Sequence, residues 1–338
     1  MFQNAQGEAT RVAPSRLPAP WLKALKVAFT WFAVAAMVLA VWRSWHFLAN
    51  AWADAAPGNL IAAVLLWAAT HFVAPGVAVL VLGRDRAVDY RAALGVHALR
   101  LPAKYIPGGI WHMVGRVADF RELGHERPSL VDFVLMENLV AAGCALGVGA
   151  GLLFLFGDTR WGAALAAISL LGFLGLALVP WGMRLVTRSG RIFPADRYLR
   201  LLALTVVFWA LASTAFVVFL GGFGGNVLDA NVPAIYGTYL FSWGAGFVAF
   251  FAPQGIGVFE FVSGKLLERQ LDLGHAVALM ASFRVIVLAG DLLAWATVFL
   301  AVRRLSVRWR GPGGADHEGG DSCWWIGYAH FGGIRRAS

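Results

Sequence analysis

Between residues 25 and 302 the sequence is a succession of apolar runs, most of them about twenty residues long. That length suits a helix crossing the hydrocarbon core of a bilayer. The composition leaves few alternatives. The chain is 59% hydrophobic and 14% charged, against about 25% charged in a soluble domain. Folded in water it would expose too much apolar surface. The net charge of +9 does not point to nucleic acid, because the basic residues sit in short loops between apolar runs, as the positive-inside rule requires. Tryptophans gather near run ends, as at Trp42, Trp45, Trp161 and Trp181, where aromatic belts lie. Cys144 falls in an apolar run and Cys323 in a polar tail, so neither a disulfide nor a metal site is expected.

The runs predict an all-α integral membrane protein. Full spans are expected at about 25–45, 60–82, 130–156, 161–181, 198–220 and 276–302. Residues 1–20 read as a disordered cytoplasmic leader, 21–305 as the transmembrane domain and 306–338 as a disordered cytoplasmic tail. The first run lacks a small-residue cleavage site and reads as an uncleaved signal anchor. Basic residues mark the leader, 83–127, 184–197 and 303–310 as cytoplasmic, whereas 50–58, 157–160 and 221–231 carry at most one.

Seven plain spans would put the last basic cluster outside. Two broken stretches remove the contradiction. Leu101 to Arg116 holds two prolines, adjacent glycines, Lys104, His112 and Arg116. The stretch from Phe251 to Glu260 repeats its centre: Pro107-Gly-Gly-Ile110 and Pro253-Gln-Gly-Ile256 both read Pro-x-Gly-Ile. Both are expected to be re-entrant helical hairpins, at about 88–120 and 236–270, approaching from opposite faces. Irregular backbone at membrane depth is tolerated where it is buried or lines a cavity. Paired interrupted segments point to the site of transporters with inverted repeats.

The first stretch suits an anion. Glycines let a ligand approach the backbone, and a helix starting near Ile110–Trp111 would offer free N–H groups. Arg116 has the planar fork that suits phosphate. The plainer reading is that Lys104 and Arg116 snorkel and anchor the segment, and that His112 is a satisfied core residue. Charged residues also fall inside expected spans: Glu137 beside Asn138, and Arg284 and Asp291, seven apart on one helix face. Such residues usually face the bundle interior. They line a polar path with Glu260, or form a structural ion pair. His71, beside the Pro75-Gly76 kink, is set below them. No nucleotide loop, nucleophile elbow or metalloprotease motif is present, so neither catalysis, cofactor nor metal is expected.

Three of these segments together resemble a known family. Lys104-Tyr-Ile-Pro-Gly-Gly-Ile-Trp-His-Met-Val-Gly-Arg116 resembles the Lys-Tyr-hydrophobic-Pro-Gly-x-hydrophobic-Trp-x-x-x-Gly-Arg stretch of the lysylphosphatidylglycerol-synthase transmembrane, or flippase-like, family. Pro253 to Glu260 resembles its later Pro-x-Gly-hydrophobic-Gly-x-x-Glu, and Phe283-Arg284 its aromatic-Arg pair. The resemblance covers roughly 20–305. It implies an inner-membrane bundle with re-entrant helices that in the better-understood members moves aminoacylated phospholipid between leaflets, and in others travels with glycosyltransferases or polyprenyl-phosphate pathways. The full synthases add an aminoacyl-transferase domain that is not seen after Arg310, so synthase activity is not expected.

The reading is therefore a flippase-like transporter in a bacterial inner membrane, both termini cytoplasmic. Its candidate lipid-phosphate residues are Lys104, Tyr105, Pro107, Gly108, Gly109, Trp111, His112 and Arg116. Its candidate path is Glu137, Asn138, Pro253, Gly255, Gly257, Glu260, Arg284 and Asp291. Expected partners are membrane lipids, with a glycosyltransferase or lipid-modifying enzyme and a second copy of the chain as further candidates. The alternative is a non-catalytic scaffold for such an enzyme. An integral enzyme acting on a lipid phosphate ranks third, lacking an evident nucleophile and base.

Overall fold

The structure, a computed structural model, describes residues 35, 38–39, 42–106, 110–157, 160–186, 193–223, 231–249, 252, 255–268 and 273–308. Most of the expected first span, the leader and the polar tail lie outside these residues, as do Pro107, Gly108, Gly109, Pro253, Gln254 and Cys323.

Every regular element among the described residues is helical: α1 (Trp45–Asp54), α2 (Pro57–Val73), α3 (Pro75–Leu82), α4 (Tyr90–Leu99), a 3-10 turn (Leu101–Tyr105), α5 (Trp111–Glu122), α6 (Arg127–Phe156), α7 (Gly162–Val186), α8 (Ala195–Gly221), α9 (Val232–Val248), α10 (Val258–Leu267) and α11 (Leu273–Arg308). Among the described residues five helices are long and apolar enough to cross a membrane: Pro57–Leu82, counting α2 and α3 together, Arg127–Phe156, Gly162–Leu185, Ala195–Gly221 and Leu273–Arg304. They fall where the apolar runs predict them. The break between α2 and α3 is the expected Pro75 kink. Proline has no N–H to continue the ladder, and just before it the Phe72 carbonyl accepts the Tyr90 hydroxyl at 2.5 Å.

Neither broken stretch is a spanning helix. At 1.5 Å per residue, α4 and α10 are about 15 Å long and α5 about 18 Å, half the ~30 Å hydrocarbon thickness. In the second, Tyr239 meets the Phe259 ring, and Gly246 lies against Gly255. These pairings step in opposite directions along the chain, so α10 runs back along α9 as a hairpin. In the first, His97 meets Arg116 and Arg100 holds Asp119. The Arg100 side chain also lies along Gly115, so α4 and α5 are tied together by these arginines.

Gly255 and Gly257 adopt left-handed backbone, with φ of +65° and +84°. A Cβ on Gly255 would lie 2.9 Å from the Gly246 Cα. The backbone that approaches this glycine is that of α9.

The core is aromatic. Phe216, Phe219, Tyr239, Phe259 and Phe283 are buried and in mutual ring contact. α2 packs on α8 and α11, and α6 packs on α7 and α9. The α6–α7 contact runs through small residues, as membrane helix interfaces do: Gly147 and Gly172 stand backbone to backbone. α7 is peripheral and leaves most of its apolar surface exposed. Trp42, Trp45, Trp161 and Trp181 are all exposed, as a belt at the bilayer surface requires.

Candidate functional site

The site is centred on Asp291, on the inner face of α11 and 1% exposed. Taking a carboxylate out of water costs several kcal/mol, so each of its oxygens needs donors. Oδ1 accepts from Trp67 Nε1 and from His71 Nε2, both at 2.7 Å. Trp67 and His71 are four apart on α2 and share one face. Oδ2 accepts from Lys104 Nζ at 2.9 Å and from the Tyr105 hydroxyl at 2.7 Å. The last two come from the 3-10 turn that follows α4. Pro102 stands inside that turn, with no N–H to continue a helix, and the turn swings Lys104 and Tyr105 toward α11.

From Asp291 the contacts run on across the bundle. His71 Nδ1 is 3.1 Å from His97 Nε2 on α4. His97 Nδ1 is 3.4 Å from Arg116 Nη1 on α5. Arg116 Nη2 donates to Glu137 Oε2 on α6 at 2.5 Å, and the guanidinium lies 4.9 Å from the Phe133 ring centre. The two ends set the direction of this chain. Arginine only donates and a carboxylate only accepts. His97 Nδ1 must therefore be bare, its proton is on Nε2, and it donates to a bare His71 Nδ1. His71 then donates from Nε2 to Asp291. In this arrangement each contact along the chain pairs one donor with one acceptor.

Beside this chain, Arg284 Nε donates to Glu260 Oε1 at 2.7 Å, and Glu260 is 1% exposed. Lys104, Arg116 and Arg284 thus balance Asp291, Glu137 and Glu260. Away from the centre, Arg84 is paired with Asp132. Arg100 forks onto Asp119, at 2.8 and 2.5 Å, which ties α4 to α5.

The structure brings together Lys104, Tyr105, Arg116, Glu137 and Asp291, drawn from both candidate sets. Glu260 and Arg284 form a pair of their own. Gly255 and Gly257 shape the break before α10. Asn138 spends its amide on its own helix, donating to the Val134 carbonyl at 2.7 Å. Trp111 opens α5, which has no side-chain cap at Ile110, and is about half exposed. His112 Nδ1 is enclosed and makes no hydrogen bond among the described residues. Trp67 and His97 were not singled out from the sequence, and His71 was set below the other candidates; all three stand at Asp291 or in the chain leading from it. The i, i+4 spacing of Trp67 and His71 was an available signal for one shared face. Nothing local marks His97. Ala74, Pro75, Ala93, His97, Arg116 and Phe133 line a crevice too narrow for a water molecule.

Compared with known proteins, the chain matches no family model and no curated protein.

Proposed function

We propose that this chain is a flippase-like transporter of the bacterial inner membrane. It moves a phosphate-containing lipid between leaflets: a phospholipid, an aminoacyl-phospholipid or a polyprenyl-phosphate-linked lipid. One observation carries the reading. The broken stretch at 101–116 holds two cations, each on an acidic side chain of a membrane-length helix, Lys104 on Asp291 and Arg116 on Glu137. Buried ion pairs are weak devices for stability, since apolar residues of similar size often serve as well. Ionisable groups within membrane-length helices mark substrate pathways. A lipid phosphate is an acceptor of the same kind as these carboxylates and competes for the same donors.

The proposal includes a topology of six full spans, both broken stretches re-entrant and both termini cytoplasmic. Cysteine labelling tests it: position 270 reacting from the cytoplasm together with a periplasmic C-terminus would defeat it. The transport reading is tested in liposomes with fluorescent anionic and aminoacylated lipids. Wild-type protein is expected to scramble at least one of them, and Arg116→Ala and Arg284→Ala to slow it. Scrambling at an unchanged rate in both variants would sink the site assignment.

The second reading is a membrane scaffold for a glycosyltransferase or lipid-modifying enzyme. It is favoured by the dry crevice at Arg116 and by the charge balance of the centre. An absence of scrambling for every lipid tested selects it.

A further inference from the structure

The two oxygens of Asp291 are held unequally. Both donors to Oδ1, Trp67 Nε1 and His71 Nε2, come from α2 and are buried. Both donors to Oδ2, Lys104 and Tyr105, come from the short 3-10 turn and are partly exposed. The Lys104 side chain is 26% exposed, and Tyr105 is 43% exposed. One half of the carboxylate is thus built into a membrane-length helix. The other half holds a neighbouring lysine and tyrosine that reach the surface.

We propose that Lys104 and Tyr105 are an exchangeable oxyanion site, and that Asp291 is a tethered competitor that holds it shut. The inference deepens the lipid-phosphate reading and rests on it for the identity of the anion. A carboxylate and a phosphate diester each spread one negative charge over two outward oxygens, and both suit an ammonium and a hydroxyl as donors. When a phosphate oxygen replaces Oδ2, Lys104 and Tyr105 leave with it. Asp291 stays anchored through Oδ1 by Trp67 and His71, so the buried charge is never stripped of donors. The 3-10 turn then parts from α11, and the link between the first broken stretch and the last helix is released. The incoming anion and the Asp291 charge repel, so the turn is driven outward. Anion binding and the closed arrangement therefore exclude each other.

The sharp consequence is a variant that binds better than wild type. Asp291→Asn keeps an acceptor for Trp67 and His71 but removes the charge that competes for Lys104. Binding of inorganic phosphate to the purified full chain in dodecyl maltoside, measured by calorimetry, is expected to tighten by about tenfold. Tyr105→Phe removes one donor and is expected to weaken it about threefold in the wild-type background. Lys104→Gln combined with Asp291→Asn leaves no net charge change and is expected to abolish it. Titration with phosphatidylglycerol in the same micelles separates the sources. A gain for the lipid alone assigns a headgroup site, and a gain for both assigns a general phosphate site. Equal or weaker binding in Asp291→Asn for both ligands overturns the proposal, as does a Tyr105→Phe protein that binds like wild type. Tighter binding without scrambling of any lipid would leave the tethered competitor standing and remove the transport reading. Scrambling by the wild type with no gain in Asp291→Asn would do the reverse.

Discussion

Arg284 and Glu260 join α11 to α10 across 2.7 Å, and the same carboxylate caps its own helix. Glu260 Oε2 accepts from the Gly257 backbone N–H, also at 2.7 Å. One side chain therefore stops the break before α10 and fixes α10 to the last membrane-length helix. Removing one partner of a buried pair leaves an uncompensated charge. Arg284→Ala is expected to destabilise the protein by about 3 kcal/mol in denaturant unfolding in micelles. Glu260→Gln retains an acceptor for the cap. Combined with Arg284→Met it should recover most of the loss, and a double variant as unstable as Arg284→Ala alone would refute this division of labour.

Gly255 combines left-handed backbone with a close neighbour, since a Cβ at this position would meet the Gly246 Cα at 2.9 Å. Gly255→Ala should cost about 2 kcal/mol or more, from backbone strain and the clash together. Gly257 is also left-handed, so Gly257→Ala should carry the strain. Unfolding curves of the two variants check this, and a wild-type midpoint for Gly255→Ala would contradict the packing described.

The chain from Arg116 to Asp291 dictates one tautomer for each imidazole. Nitrogen-15 spectra of the histidine-labelled protein in nanodiscs are expected to show His71 and His97 as Nε2–H forms with bare Nδ1. Arg116→Gln frees the end of the chain and should let His97 populate the other form. An Nδ1–H signal from His97 in the wild type would break the assignment.

His125 lies outside the membrane-length helices, in the turn between α5 and α6. Its backbone N–H donates to the Phe120 carbonyl at 3.1 Å. Burial, and then the charge of Arg86, hold its imidazole below the ordinary value of 6.5. The folded turn therefore takes up a proton less readily than the unfolded chain. The stability contributed by neutral His125 is present above about 6.5 and falls as pH drops below it. Hydrogen exchange at this amide, corrected for its intrinsic rate, should quicken on acidification in wild type and respond less in His125→Gln. Equal pH response in the two proteins would exclude the effect.

Much of the fold is legible in the sequence because a bilayer demands long apolar runs with internally satisfied backbone. The expected spans at 60–82, 130–156, 161–181, 198–220 and 276–302 each meet a helix of membrane length. The breaks are equally local. Pro75 interrupts α2 and α3, and Gly255 and Gly257 allow left-handed turns that other residues resist. The sequence also places Lys104, Arg116, Glu137, Glu260, Arg284 and Asp291 inside an apolar chain, where isolated charge is too costly to leave unpaired.

Which charge meets which was decided only by tertiary structure. Spacing put Arg284 and Asp291 on one helix face, yet Arg284 turns to α10 and Asp291 to α2 and the 3-10 turn. His97 joined the centre because α4 packs beside α2, a contact with no local signature. The physical reason is one of range. Hydropathy and backbone freedom act within a few residues, whereas a buried ion pair is chosen by helix packing among residues up to 187 positions apart.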